Sequence, residues 1–188
     1  MPKKTQMSRF PIHDELTAPE GSLPVLNGVL ASAGQLPNFL GVLAGSPATL
    51  RGYTRFRGEL RHGTLELATL ERIALAVAEQ YRSDPGIAIH TRTARQAGVG
   101  IDEVGLAREW ESRDPREAAL LRFLKPLVTS RTAPQHLHEE AKEAGWSDEQ
   151  LLEAIAVLGL ECFTAMVNIA GEIPVDGSAE ETRVLRAA

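Results

Sequence analysis

Cysteine is almost absent from this sequence of 188 residues, which contains only Cys162. A single cysteine excludes an internal disulfide and any metal site built from several thiolates. Aromatic residues make up 5% of the chain, and its formal net charge is −5. Because nucleic-acid-binding proteins need basic surfaces, and often aromatic side chains for base stacking, this composition argues against that class.

Long apolar runs are missing as well. The basic start, MPKKTQMSRF, is not followed by an apolar stretch, so no signal peptide is expected. Uninterrupted apolar runs such as residues 73–78 are far too short to cross a bilayer. The sequence also lacks a glycine-rich phosphate loop, a G-x-S-x-G elbow and an HExxH pair. We therefore expect a cytoplasmic protein with no membrane partner, no metal and no cofactor.

The residues that are present predict an all-α fold. Helix starts are marked by Ser, Thr or Asp followed directly by Pro, or by Glu or Gln three residues later. These signals are Ser46-Pro47, which opens a segment running to about His62, Asp114 with Glu117, Thr132 with Gln135, and Ser147 with Gln150. Helix ends are expected at Gly98, Gly145 and Gly171. No segment shows the sustained alternation typical of a β-strand.

The chain is long enough for one domain with extensions at its ends. Residues 1–20 are polar and contain proline, which is typical of an arm that lies over a neighbour or stays loose. Residues 21–172 are expected to form the helical domain, and residues 173–188 a C-terminal tail. Inside the domain, Gly98 corresponds to Gly145, 47 residues later, in two similar segments that predict a helical hairpin used twice. The alternative is a chance similarity, because a helix that ends at a glycine and is followed by another helix is a common arrangement.

Two segments are apolar on nearly all helical faces. In residues 70–81, Leu75, Ala76 and Ala78 fill faces that an amphipathic helix leaves polar, and residues 154–160 have the same character. A helix without a polar face must be covered on all sides. Because a domain of this size encloses about one such helix, the second is expected to contact another subunit. This predicts a homo-oligomer.

Among the five histidines, His90 lies on the apolar side of its segment. Two interpretations are open: a core histidine that donates to a carbonyl, or a proton-transfer group whose pKa is tuned by burial. The spacing alone favours the core histidine. His136 and His138 are two residues apart and point to different helix faces, which does not match a zinc pair.

Other candidate residues lie close to His90 in the sequence. Glu71 opens a strongly apolar segment, where its carboxylate either complements the helix dipole or, with a raised pKa, acts as a base or acid. Ser83-Asp84-Pro85 is a capped helix start whose free N–H groups can also hold an anion. Arg82 and Arg92 are candidates for carboxylate recognition, with solvated surface arginines as the alternative.

Several short motifs fall between residues 70 and 104. They are Leu70-Glu71-Arg72, SDPGIAIH at residues 83–90, Ala97-Gly98-Val99 and Asp102-Glu103-Val104, with a spacing of 19 residues from Glu71 to His90. Together they resemble the core of the carboxymuconolactone decarboxylase and alkylhydroperoxidase D superfamily, over roughly residues 35–170. The upstream residues 36–47 resemble the entry to its peroxidase-related members. The resemblance implies a compact alkylhydroperoxidase D-like helical bundle.

The peroxidase branch of this superfamily carries Cys-x-x-Cys-x-x-x-His, with a glutamate upstream that relays protons together with the histidine. Glu71 and His90 occupy the glutamate and histidine positions, whereas Ser83 and Gly86 occupy the two cysteine positions. Thiol peroxidase chemistry needs a thiolate and a resolving thiol, so the disulfide-based mechanism is not expected here. The decarboxylase branch lacks the cysteines and keeps a histidine at this position.

The resemblance therefore implies a cysteine-independent acid/base enzyme, of the decarboxylase or lactone-processing type, that acts on a small carboxylated molecule. His90 and Glu71 would be catalytic. Four residues would bind the substrate: Ser83, Gly86, Arg82 and Arg92. Two alternatives are open. One is a non-catalytic oligomer that binds a ligand in the same cavity, and the other is a degenerate alkylhydroperoxidase that reduces peroxide through Cys162.

Overall fold

A computed structural model of the protein describes residues 8–177, and these residues form α-helices joined by short turns. After a 3-10 turn at Glu20–Ser22, the helices are α1 (Leu23–Ala33), α2 (Asn38–Leu43), α3 (Pro47–Arg61), α4 (Leu67–Gln80), α5 (Asp84–Gln96), α6 (Ile101–Arg108), α7 (Pro115–Thr129), α8 (Gln135–Glu143) and α9 (Asp148–Gly171). No strand occurs between residues 8 and 177. The predicted all-α fold is confirmed.

The described residues divide into two compact units, one formed by residues 8–56 and 166–177 and the other by residues 57–165. In the first unit the Arg9 N–H donates to the Gly171 carbonyl at 2.7 Å, and the His13 N–H donates to the Gly41 carbonyl at 3.0 Å. Residues 1–7 and 178–188, which belong to the predicted arm and tail, lie outside the described residues. The predicted boundaries at residues 20 and 172 stay a prediction.

Helix α4 is buried along most of its length in the second unit. Residues 73–78 are all buried, as expected for a helix without a polar face. α4 packs against α5 and α6, and α7 packs against α8. Side chains from α4, α7 and α9, such as Ile73, Leu120 and Leu158, share one apolar core. This packing fixes the positions of the polar side chains that α4 and α9 carry.

Most of the helix starts that were predicted from capping signals are found in the structure. The Asp114 side chain accepts a backbone N–H in the first turn of α7, and Ser147 and Gln150 cap the start of α9 reciprocally at 3.1 and 3.2 Å. The capping role predicted for Thr132 is wrong, because α8 begins at Gln135 without a side-chain cap.

Gly98 and Gly145 end α5 and α8 in the same way. Their φ angles are +87° and +94°, in the left-handed region that favours glycine. At both ends the next residue, Val99 or Trp146, donates its N–H to the carbonyl five residues earlier, at 2.9 and 3.1 Å. The two similar segments of the sequence therefore adopt the same helix–glycine–helix geometry.

Helix α9 is covered on one side in the second unit. Leu151 and Val157 are buried in the core, whereas Leu152 and Ile155 are 68% and 40% exposed. The expectation that the apolar stretches are too short to cross a bilayer does not hold for α9, because only single polar residues interrupt its apolar sequence and the helix is long and apolar enough by length and composition. Of its most apolar stretch, 44% is buried inside the protein. The homo-oligomer and the absence of a membrane partner stay predictions.

Candidate functional site

Glu71 and His90 lie side by side in the second unit. Glu71 is on α4 and His90 is on α5, which packs against α4. His90 Nδ1 is 2.9 Å from Glu71 Oε2, and the two side chains are 8% and 4% exposed. The spacing of 19 residues in the sequence therefore corresponds to a direct contact between two buried ionisable groups.

A second carboxylate contacts the opposite edge of the imidazole. Glu161, on α9, places its Oε2 atom 3.3 Å from His90 Nε2. No sequence motif pointed to Glu161, and the available signal was a lone carboxylate inside the apolar stretch of α9. We refer to Glu71, His90 and Glu161 as the Glu–His–Glu cluster. Because both ring nitrogens face carboxylate oxygens, a protonated ring can donate to both at once.

The carboxylates determine the protonation of His90. Burial by itself lowers the pKa of an imidazole, but the charge of Glu161 and hydrogen bonds to both carboxylates raise the pKa of His90 from 6.5 to about 9. Burial by itself raises the pKa of Glu71, but the contact with His90 and a hydrogen bond from the Thr93 hydroxyl hold it below its ordinary value. His90 therefore carries a proton at neutral pH.

A recess of about 30 Å³ opens beside the Glu–His–Glu cluster. This volume holds a water molecule or two, or a group the size of a carboxylate, and a larger ligand must extend towards solvent. The apolar part of its lining consists of aliphatic side chains: Leu60, Leu67, Leu70, Ala74, Val157 and Leu160. Its polar part consists of the cluster together with Arg57 and Arg61 of α3.

The four predicted substrate-binding residues do not line this recess. Ser83 and Gly86 are buried at the start of α5, where the Gly86 N–H donates to Ser83 Oγ at 3.3 Å. Arg82 and Arg92 are exposed. The recess therefore gives no support to the substrate-binding role predicted for these four residues.

Cys162 follows Glu161 on α9 but does not line the recess. Burial raises the pKa of its thiol, a hydrogen bond with Tyr81 lowers it, and the charge of Glu161 raises it further. The net shift is upward. Because the thiolate is the reactive species, a raised pKa disfavours nucleophilic chemistry at Cys162.

Residues 47–126 match the family model of the carboxymuconolactone decarboxylase family. An uncharacterized peroxidase-related protein from Ralstonia eutropha JMP134, with an alkylhydroperoxidase AhpD core, has a similar structure at 17% identity, with a TM-score of 0.79 over 91% of this chain and 93% of that one. A peroxidase-related protein from Silicibacter sp. TM1040 is similar at 19% identity, with a TM-score of 0.77 over 95% and 96% of the two chains.

A variant of the debrominase Bmp8, solved in complex with 2,3,4-tribromopyrrole, is similar at 18% identity, with a TM-score of 0.70 over 88% of this chain and 90% of that one. At such identities the likeness establishes the fold. No match is found among curated protein sequences. The region that matches the family contains Glu71 and His90, whereas Glu161 lies beyond it.

Proposed function

We propose that this chain belongs to the carboxymuconolactone decarboxylase and alkylhydroperoxidase D-like superfamily, and that it is a cysteine-independent acid/base enzyme of the decarboxylase or lactone-processing type. Its substrate is a small carboxylated molecule. The observation that carries the proposal is the position of His90 between Glu71 and Glu161, beside a recess with an aliphatic wall.

In this mechanism His90 is the proton donor. When a carboxylate leaves as carbon dioxide, the electron pair of the broken bond remains on the substrate, which must gain a proton. The protonated imidazole supplies it, as a general acid. Glu71 orients the ring through Nδ1 and stabilises its charge, and Glu161, within reach of Nε2, relays a proton from water back to the ring afterwards.

The proposal is tested by turnover of a panel of small lactones and carboxylated lactones, followed spectrophotometrically. The His90→Ala variant is expected to lose turnover by about 100-fold or more, the usual size of a general acid–base contribution. The matched control is His62→Ala, since His62 is exposed and does not line the recess. Unchanged turnover in a folded His90→Ala variant would contradict the proposal.

A non-catalytic ligand-binding protein is the second candidate function. The observation that favours it is the engagement of both His90 ring nitrogens by carboxylates, because a fully partnered histidine is also typical of a structural role. This candidate predicts that a ligand raises the melting temperature without being converted. A broad metabolite screen that finds no stabilising ligand would count against it.

The degenerate alkylhydroperoxidase is the weakest candidate. Cys162 lies outside the recess lining, and the pKa of its thiol is raised. Reduction of an alkyl hydroperoxide by a dithiol should therefore not be accelerated by the protein. If such an activity is found, its loss in Cys162→Ser would assign it to this thiol.

A further inference from the structure

Arg57 and Arg61 lie four residues apart on α3, and both line the recess. This spacing places their side chains on the same face of the helix. Arg57 is half-buried and Arg61 is exposed. Among residues 8–177, no carboxylate oxygen lies within 4.0 Å of either guanidinium group. Neither arginine is therefore held by an ion pair to the described part of the protein.

The ionisable groups of the recess carry more positive than negative charge. Arg57, Arg61 and the protonated His90 supply three positive charges, against the two negative charges of Glu71 and Glu161. The chain as a whole has a net charge of −5. The charge of Arg57 also reaches Glu71, whose pKa it helps to lower. The recess is thus a locally positive site on an acidic protein, and it favours an anionic ligand.

We propose that Arg57 and Arg61 bind the carboxylate of the substrate and make the recess selective for small anions that have an apolar body. This inference rests on the proposed function in taking the recess as the substrate site. A guanidinium group matches a carboxylate with two parallel N–H···O bonds. Aliphatic side chains of the lining contact the part of the apolar body that lies at the recess, and the rest of the ligand extends towards solvent.

Arg57 is the stronger of the two partners. Solvent screens its charge less than that of Arg61, because Arg57 is half-buried and Arg61 is exposed. The sequence suggested Arg82 and Arg92 for recognition of the substrate carboxylate. We assign this recognition instead to two arginines of α3, which line the recess beside the Glu–His–Glu cluster.

Benzoate and benzamide are a matched pair of probes, since they share a ring and differ in charge. Each is titrated into isotopically labelled protein while NMR follows the His90 imidazole and the Thr93 amide. Benzoate is expected to shift these signals and to bind about tenfold more tightly than benzamide, the size of a hydrogen-bonded charge contact. The same contact predicts that Arg57→Gln weakens benzoate binding by about tenfold.

Two further variants test the assignment to particular arginines. Arg61→Gln is expected to weaken benzoate binding by about threefold, as for an exposed ion pair. Arg55→Gln is the control, because Arg55 is an exposed arginine of α3 outside the recess lining, and it should bind as the wild type does. Arg57→Lys keeps the charge and should retain part of the affinity. The melting temperature of each variant verifies that it is folded.

Three results would overturn the inference: equal binding of the two probes, wild-type affinity in a folded Arg57→Gln variant, or no effect of benzoate on the His90 signals. The proposed function is judged separately, by turnover. Arg57-dependent binding of benzoate, with no turnover of any lactone, leaves the inference standing and ends the enzyme proposal. Turnover that requires His90, together with benzoate binding that does not depend on Arg57, supports the enzyme proposal and overturns the inference about the arginines.

Discussion

Glu161 Oε2 lies 3.3 Å from His90 Nε2, so that a side chain of α9 contacts the same imidazole that Glu71 contacts from α4. A neutral imidazole can donate a hydrogen bond from one nitrogen only, whereas an imidazolium donates from both. An acidic partner at each ring nitrogen therefore favours the protonated ring over either neutral tautomer. The responses of the site to pH and to substitution follow from this preference.

The free energy of unfolding is expected to fall as the pH rises from about 6.5 to about 9. The folded-state pKa of His90 is raised from 6.5 to about 9. The contribution of His90 to the free energy of unfolding is therefore complete below its pKa in the unfolded protein. It is lost as the pH rises through its pKa in the folded protein, and its size is on the order of 3 kcal/mol. Urea denaturation across this pH range measures it. His90→Asn should lack this dependence, and an equal slope in both proteins would contradict the prediction.

The Glu161→Gln variant is expected to lower the pKa of His90. Glutamine keeps the shape of the side chain and removes the negative charge beside Nε2. A decrease of about one unit or more is expected, measured by NMR titration of the imidazole. Glu149→Gln is the control, because Glu149 is an exposed residue in the first turn of α9. The same pKa in Glu161→Gln and in the wild type would exclude Glu161 as a partner of His90.

A double variant that places cysteines at Ser83 and Gly86 is expected to form a disulfide. A Cβ atom at Gly86 would lie 3.4 Å from Ser83 Cβ, close to the range of about 3.5–4.5 Å found in disulfides. It would also lie 3.0 Å from Ala78 Cβ, so crowding should lower the free energy of unfolding by about 1–3 kcal/mol.

Thiol titration checks this variant. Measured in denaturant, after mild oxidation only Cys162 should react, and after reduction all three cysteines should react. Ser83→Cys alone is the control, in which mild oxidation should leave both thiols reactive. Three reactive thiols after oxidation of the double variant would show that the two positions cannot approach closely enough.

The protein is expected to form a homo-oligomer in solution. Leu152 and Ile155 of α9 are large apolar side chains that are 68% and 40% exposed. We expect a second subunit to bury them, because the sequence of this helix is apolar on nearly all faces. Light scattering coupled to size exclusion should give a mass that is a multiple of 20.4 kDa. A mass of one chain across the micromolar range would make the prediction wrong.

Some helix boundaries could be predicted from the sequence because they depend on local chemistry. Each of these helix starts is determined by residues that are close together in the sequence. Examples are the proline directly after Ser46, and the reciprocal hydrogen bonds between Ser147 and Gln150. Thr132 carried a similar signal, but α8 starts two residues later than a cap at Thr132 would place it, immediately after Pro134. A capping pattern thus gives candidate starts, and the neighbouring proline decides between them.

The site could be predicted only in part. Glu71 and His90 were found because their spacing resembles a known pattern, and both lie on helices that are adjacent in the chain. Glu161 reaches His90 from a distant part of the sequence, so its contact depends on how α9 packs. Arg57 is one of four arginines on α3, and the rotation of that helix in the packed protein, which no short motif encodes, selects which of them face the recess.

The matching helix–glycine–helix segments place unlike side chains at equivalent positions. Forty-seven residues after Glu71 stands Ala118, and forty-seven after His90 stands Leu137. At these two positions the later segment therefore carries no ionisable group, and Ala118 is buried there. Yet it leads into the helix that carries Glu161. The two similar segments therefore contribute differently to the site. The earlier one supplies an imidazole and one carboxylate, His90 and Glu71, whereas the later one supplies the second carboxylate, Glu161, through α9. At the position equivalent to His90 the later segment has Leu137.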